Sequence, residues 1–389
     1  MAGDTTPGVR RVLGGLAVAA GVAALARAAW SIPVEMGARR SAIRPFAAAS
    51  PHWRSGTFHN AEPAHPGPTA PPWRIAARFA TRGRVGKPPT PIPVVAPQFP
   101  DTVADLAVTW LGHASALIEI DGATVLADPV WSERVSPSTV VGPARLHPVP
   151  SGLDELPRLD AVVISHDHYD HLDRRTLLAL RDLQEVPFVV PVGVGAHLRR
   201  WGIAEQRIVE LDWDDSVELG GIRLTCTPAR HFSGRGLTRN PTLWSSWVLA
   251  GPQHRVFFGG DTGYTRQFAE IGDRYGPFDV TVLPVGAYDE MWHEIHMDPE
   301  EAVRAHRDLR GGLLLPIHWA TFDLAFHPWV EPATRLVSAA RDADVPVLIP
   351  RPGERTEIDD ARPVGIVGLR EQPDSVSPWW ITVAAGRAD

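Results

Sequence analysis

Six consecutive residues, His166-Asp167-His168-Tyr169-Asp170-His171, carry three imidazoles and two carboxylates. Histidine is neither a strong turn former nor a strong helix former, so a solvated loop has little reason to concentrate it in this way. Imidazole nitrogen and carboxylate oxygen are the ligands of borderline divalent metals such as zinc. His166 and His168, two positions apart, can aim at one ion, while Asp170 and His171 turn toward a second. Such a loop suits a pair of metal ions.

The elements around the loop are those needed to hold it. The apolar run 160–164 precedes it, after the turn-prone Leu156-Pro157-Arg158, and a helical pattern begins at Asp173. A buried strand thus delivers the polar loop to the start of a helix. The same logic recurs downstream. His231 follows the run 224–230, Asp261 follows 256–260 and His318 follows 313–317, so each polar residue lands where an apolar strand ends. Further strands are expected over 107–111, 115–120, 123–127, 187–190, 207–211, 222–227, 243–249, 255–259, 279–283, 312–317 and 345–349, with a hairpin turn at Asp121-Gly122. Helices are expected near 173–183, 264–274, 298–309 and 332–342. Asp298-Pro299-Glu300-Glu301 is a helix start with an N-cap, a proline at the first position and a capping-box glutamate.

Composition narrows the function classes. A chain of 389 residues, 44% of them apolar, can bury a sizeable core. A net charge of −7 with no basic run disfavours nucleic acid as a partner. The single cysteine, Cys226, excludes an internal disulfide and sits in an apolar run as a core residue. Lys87 is the only lysine, which argues against a lysine nucleophile or Schiff base. Its scarcity beside abundant Arg, Ala, Gly and Pro points to a GC-rich bacterial genome.

Before the catalytic region the chain has a different texture. Arg10-Arg11 precedes an uncharged Ala-rich run, 12–26, whose length matches a signal-peptide core (about 7–15 residues) or, extended to Trp30, a short membrane anchor. Residues 1–30 are read as that signal or anchor, which makes the protein exported or membrane-associated. Residues 31–100 are read as a proline-rich arm, 101–370 as the catalytic domain and 371–389 as a C-terminal tail. Proline clusters at 63–72 and 88–93 argue against long helices in the arm, which is expected to be extended. Thr57-Phe58-His59-Asn60 stands out within it but suggests no chemistry.

The loop His166, His168, Asp170, His171 matches in full the His-x-His-x-Asp-His signature of the metallo-β-lactamase superfamily. Within that superfamily the chain resembles the N-acylphosphatidylethanolamine-hydrolysing phospholipase D group, through the runs 109–115, 128–129, 141–145, 164–173, 260–263, 283–288, 296–302 and 317–322. The likeness spans residues 58–354. It implies an α/β fold, an αββα sandwich of two mixed sheets with helices on the outer faces. It also implies a two-zinc site, open to other divalent transition metals. His166, His168 and His231 would hold one zinc, Asp170, His171 and His318 the other, and Asp261 would bridge them and act in catalysis. Such a pair of ions activates water, so no serine or cysteine nucleophile is needed. His296 precedes a helix start, matches a functional histidine of the group and is the candidate phosphate contact or proton donor. His113 and Asp128 lie at strand ends and are candidates to orient the zinc-ligating imidazoles from behind.

Tyr288, Met291, Trp292, Trp319, Phe322, Leu324, Phe326 and Trp329 crowd the stretches around His296 and His318. Their composition suits an acyl-chain groove or bilayer contact and suits an ordinary aromatic core equally; on the first reading, together with the N-terminal run, it favours a phospholipid or other amphiphilic substrate. The resulting expectation is a phosphodiesterase of phospholipase D type, releasing N-acylethanolamine and phosphatidic acid. Two alternatives remain: a lactonase or soluble phosphoesterase of the same fold, and a membrane-tethered scaffold with structural zinc. Seven ligands count against the scaffold, because structural zinc sites are typically closed with four. Oligomeric state is not encoded in any pattern found here.

Overall fold

The computed structural model describes residue 26 and residues 28–64, 69–236, 238–358, 366–367 and 378–387. The apolar run 12–26 lies almost wholly outside them, and among the described residues no helix is long and apolar enough to cross a membrane.

Two mixed sheets face one another. The first has seven strands in the order β16-β3-β4-β5-β6-β7-β8. These are β3 (Leu106–Gly112), β4 (Ser115–Ile120), β5 (Ala123–Ala127), β6 (Ala161–Val163), β7 (Phe188–Pro191), β8 (Ile208–Leu211) and β16 (Arg355–Glu357). The second has eight in the order β17-β15-β14-β13-β12-β11-β10-β9. They are β9 (Ser216–Leu219), β10 (Ile222–Thr227), β11 (Ser246–Ala250), β12 (Arg255–Phe258), β13 (Phe278–Pro284), β14 (Gly311–Ile317), β15 (Val347–Leu348) and β17 (Ile366–Val367). In each sheet an antiparallel half meets a parallel half: β5 pairs with β6 in parallel, and β12 with β13.

Side-chain alternation explains why the strands read as nearly unbroken apolar runs. Ala116, Ile118 and Ile120 of β4 and Ala161 and Val163 of β6 face the second sheet, in one core with Leu224, Val248, Val256, Val280 and Leu314. Leu117, Val162, Phe188 and Val190 point the other way and pack with Leu177 and Leu180 of the helix Arg174–Leu183 and Leu198 of the helix Gly195–Arg200. Both faces of the sheet are therefore dry, which is the condition that removes polar alternation. Ala302, Ala305 and Leu336, from the helices Pro299–Asp308 and Glu331–Ala343, cover the second sheet. The layers are helix, sheet, sheet, helix, as expected.

Several local expectations shift. The 243–249 run forms a strand only from Ser246, because Leu243 and Trp244 are buried in the preceding loop. The helix expected from 264 begins at Gln267. Strand β9 was not anticipated; it pairs with β10 across Gly220 and Gly221, both at positive φ. The capping box at Asp298 and Glu301 forms as read, and Asp173 caps its helix by accepting from the Arg175 amide.

The arm departs most from its expectation. It contains helices Ile32–Glu35, Arg40–Ala47 and Pro72–Thr81 and a two-stranded hairpin, β1 (Trp53–Arg54) with β2 (Thr57–Phe58), and is extended only over 91–100. Pro72 takes the first position of its helix, where no amide hydrogen is required, and the Ala- and Arg-rich stretch after it contains no proline, whereas Pro45 sits inside the helix Arg40–Ala47. The arm also touches the body. Phe58 donates its amide to the Asn240 carbonyl, Val95 to Pro352, and Trp329 donates to Val85.

Of the two readings open for the aromatics around His296 and His318, core packing describes four of them. Trp319, Phe322, Trp329 and Tyr288 are buried at 2, 7, 5 and 8% exposure. Trp319 stacks on Trp110 and packs against Trp329 and Trp379 of the C-terminal helix Trp379–Ala384. Tyr288 donates its hydroxyl to Glu331 and stacks on His327. Phe326 is half-buried between Phe79 and Trp292. The indole-rich surface is used to close the body against the tail, where burying large rings is worth most.

Candidate metal centre

All seven expected ligands converge at the edge where both sheets end. His166, His168, Asp170 and His171 follow β6, His231 follows β10, Asp261 follows β12 and His318 follows β14. Their ligand atoms fall into overlapping groups: His166, His168, His231 and Asp261 in one, and Asp170, His171 and His318 with His113 in another. A third group joins Asp261 and His318 to His296.

Asp261 is the hinge of this arrangement. Its Oδ2 lies 3.2 Å from His171 Nε2 and 3.7 Å from His231 Nε2, and its Oδ1 is 3.0 Å from His318 Nε2. Asp170 Oδ2 is 3.7 Å from His171 Nε2 and 3.4 Å from His318 Nε2. Ligands on a tetrahedral ion at about 2.0–2.2 Å lie roughly 3.4 Å apart, so these spacings suit shared cations. His171 Nε2, Asp261 Oδ1, His296 Nδ1 and His318 Nε2 are buried without a hydrogen-bond partner among the described residues. Leaving four such atoms unpaired would cost about 1–3 kcal/mol each, a cost that metal ions remove. The donor set fits a divalent pair.

The electrostatics agree. Burial, reinforced by the neighbouring imidazoles, holds His166 and His231 well below the ordinary histidine range; the former feels His171, His168 and His231. Both are neutral and ready to ligate. Burial alone would lower His171 and His318 too, but the Asp261 carboxylate, with Asp170 and, for His171, Asp128, drives His171 well above its usual value and His318 up to about 9. Burial would raise Asp170 and Asp261, yet the charge of His171 first, and then the surrounding histidines, keep both carboxyls well below the usual range.

Asp128 and His113 both lie against metal-site residues. Asp128 Oδ2 accepts from His171 Nδ1 at 2.7 Å, which turns Nε2 toward Asp261, and its Oδ1 accepts the Ser165 amide. Burial raises the Asp128 carboxyl, partly offset by His171. His113 Nε2 lies 2.9 Å from Asp170 Oδ2, and the His113 backbone is locked by Thr321, Trp110 and His318. Burial and then the charge of His318 pull the His113 pKa down to about 3, so it donates as a neutral imidazole. His113, Asp128 and His318 all sit at positive φ, a strain of order 1–3 kcal/mol each that the packed surroundings hold in place.

His296 stands at the rim, Nδ1 3.9 Å from Asp261 Oδ2. Burial lowers its pKa to about 4, so at neutral pH it donates one N–H and carries no charge. His168, Asp170 and His296 keep partial exposure while the other ligands are buried, so substrate approaches from their side. Tyr169 takes no part, donating its hydroxyl to the Arg235 carbonyl away from the site.

Three supports were not legible in the sequence. Asn60, in the stretch that suggested no chemistry, clamps the His231 backbone from both sides. Asp167 turns away from the ligands: its Oδ1 accepts the Gly234 amide and its Oδ2 faces His197 Nε2 at 3.3 Å. His197 in turn accepts the Ala38 amide on Nδ1, and a side chain at Gly37 would collide with that nitrogen. The arm thus reaches the ligand loop through Ala38, His197 and Asp167.

Comparison with known proteins agrees with this geometry. Residues 123–319 match the model of the β-lactamase superfamily domain. The chain is 49% identical over 388 residues to an uncharacterised protein of Mycobacterium tuberculosis, covering 96% of this chain and 99% of that one. It is 38% identical over 244 residues to N-acyl-phosphatidylethanolamine-hydrolyzing phospholipase D 1 of Caenorhabditis elegans, covering 59% of this chain and 68% of the relative. Among solved structures, Igni18, a metallo hydrolase from Ignicoccus hospitalis, superposes with a TM-score of 0.50 at 23% identity over 64% of this chain and 97% of that one, a likeness of fold.

Proposed function

We propose that this chain, which belongs to the β-lactamase superfamily of metal-dependent hydrolases and, within it, to the N-acylphosphatidylethanolamine-hydrolysing phospholipase D-like group, cleaves N-acylphosphatidylethanolamine-like phospholipids to N-acylethanolamine and phosphatidic acid. The observation that carries this reading is Asp261, which faces His171, His231 and His318 at once and so sits between two ligand groups. A bridging carboxylate between two cation sites is the arrangement that suits displacement at phosphorus.

His166, His168 and His231 would hold one zinc and Asp170, His171 and His318 the other, with Asp261 shared. Bound there, the ions supply Lewis acidity to the phosphoryl oxygens and bring the pKa of water toward about 7. The chain's own residues do the rest. Asp261 orients the attacking water by accepting its hydrogen bond. As the water oxygen bonds to phosphorus, the phosphorus–oxygen bond to the ethanolamine side breaks; the proton the water gives up passes through solvent at the open side to the departing oxygen, while His296 donates a hydrogen bond to the phosphoryl group. Asp128 and His113 keep His171 and Asp170 aimed throughout. The N-terminal run 12–26, acting as anchor, would keep the enzyme at its lipid substrate.

The test is hydrolysis of mixed-micelle N-acylphosphatidylethanolamine, with metal content measured on the same sample and Asp261→Asn beside it. About two zinc ions per chain, release of phosphatidic acid and loss of activity in the variant by at least about 100-fold are expected, since even outer partners of metal ligands are worth 10–100-fold. Two bound metals without lipid cleavage would refute the substrate and redirect attention to lactones and soluble phosphodiesters.

A further inference from the structure

Beyond His231 the metal centre opens into a pocket of about 700 Å³, lined by His59, Asn60, Phe232 and Arg239 among others. Its lining among the described residues includes Arg54, Arg239 and two histidines and no aspartate or glutamate. Arg239 is the unusual member. Its guanidinium lies 3.7 Å above the Phe232 ring, and that ring packs against His168 at 4.4 Å and His231 at 4.8 Å between centroids. The neighbouring arginines are committed elsewhere: Arg230 pairs with Glu294, and Arg235 donates to the carbonyls of Glu35, Asp167 and Leu172. Arg239 Nε and Nη2 are shut off from solvent with no hydrogen-bond partner among the described residues. Burial lowers its pKa with no carboxylate near enough to offset the loss. A half-buried guanidinium with two unpartnered N–H groups calls for an acceptor, an amide carbonyl or an oxyanion, and repels an ammonium.

We propose that this pocket receives the head-group side of the phosphodiester and that Arg239 selects head groups without positive charge, accepting uncharged amides or anions and excluding free amines. The inference rests on the phosphodiesterase reading above. N-acylation would then matter at this site for two reasons, since it removes a cation and adds a carbonyl for Arg239 to bind.

The experiment compares two soluble diesters that differ only at the amine, glycerophosphoethanolamine and its N-acetyl derivative, on the metal-loaded full-length enzyme and on Arg239→Gln and Arg239→Glu with verified metal content. The wild type should prefer the N-acetyl compound by at least about tenfold in kcat/KM, mostly through KM, as expected for like charges several ångströms apart in a partly screened pocket. Arg239→Gln should shrink that ratio and Arg239→Glu should reverse it. An unchanged ratio in both variants would overturn the proposal. If neither diester is turned over, the micellar lipid assay above decides the phosphodiesterase reading, and calorimetric binding of phosphoethanolamine against N-acetylphosphoethanolamine decides the subsite. A preference for the acetylated ligand that Arg239→Glu abolishes upholds it; equal affinities in the wild type overturn it.

Discussion

Asn60 holds His231 by both backbone atoms: its Oδ1 accepts the His231 amide at 3.0 Å and its Nδ2 donates to the His231 carbonyl at 2.9 Å. The same Oδ1 accepts the Trp244 indole N–H at 2.9 Å. A side-chain amide from the proline-rich arm thus substitutes for a strand partner at the point where β10 has ended and the ligand begins. The arm is part of the metal site's scaffold.

Asn60→Ala should therefore weaken metal binding although no ligand is touched. Two hydrogen bonds to half-buried backbone groups are lost, about 1–3 kcal/mol of stability. Metal affinity should drop by roughly 10–100-fold, the usual effect of removing an outer support. Competition with a chromogenic chelator checks the affinity, and thermal unfolding of metal-loaded and metal-free protein checks the stability.

Asp128→Asn should reduce metal affinity and turnover together, by about 10–100-fold. The carboxylate fixes which His171 nitrogen is protonated, and an amide can present its N–H to Nδ1 and invert that choice. An unaltered metal stoichiometry at limiting zinc in this variant would show that the tautomer is held by something else.

Zinc binding should expel protons. Without a cation, the Asp261 and Asp170 carboxylates raise His318 to about 9 and hold His171 well above its ordinary value, so both are protonated at neutral pH. Each must lose its proton to ligate, and apparent affinity should rise with pH from about 6.5 to 9. The sign for stability of the metal-free protein is opposite: a histidine with a raised pKa stabilises below its unfolded value, near 6.5, and that contribution is lost as pH climbs through 9. Calorimetry in buffers of different ionisation enthalpy measures the released protons; a value near zero at pH 7 would contradict this account.

His296→Ala should lower kcat by at least about 100-fold while leaving both metals bound, because the residue lies 3.9 Å from Asp261 at the rim. With a pKa near 4 the imidazole is neutral throughout the physiological range and acts as a hydrogen-bond donor. The alanine variant should therefore retain the wild-type pH profile between 6 and 8 at reduced height, and His296→Gln should recover part of the rate. A lost titration in that interval would assign His296 a proton-transfer role instead.

Much of the site could be read from the chain alone because its signals are local. The ligand loop is six residues long, and Asp261 and His318 each follow an apolar strand with two dry faces, a pattern set by period-two geometry. The sequence likeness supplied a pairing of ligands, and the fold brings those residues together by ending both sheets at one edge. Function class followed from the donor set.

What only the tertiary structure decided concerns residues brought together from afar. Asn60 meets His231 across 171 positions, and Ala38 reaches His197 across 159. Nothing local distinguishes such an asparagine or histidine from a surface one, since its meaning lies in the unsatisfied backbone or carboxylate it happens to face. The aromatics after His318 show the converse. Their composition suits a lipid groove or a core equally, and only the packing of Trp379 and Trp380 from the chain's end onto Trp319 makes them core. Arg239 shows it again: sequence reports its charge, but the lack of a counter-charge, which gives that charge its use, is a property of the folded pocket.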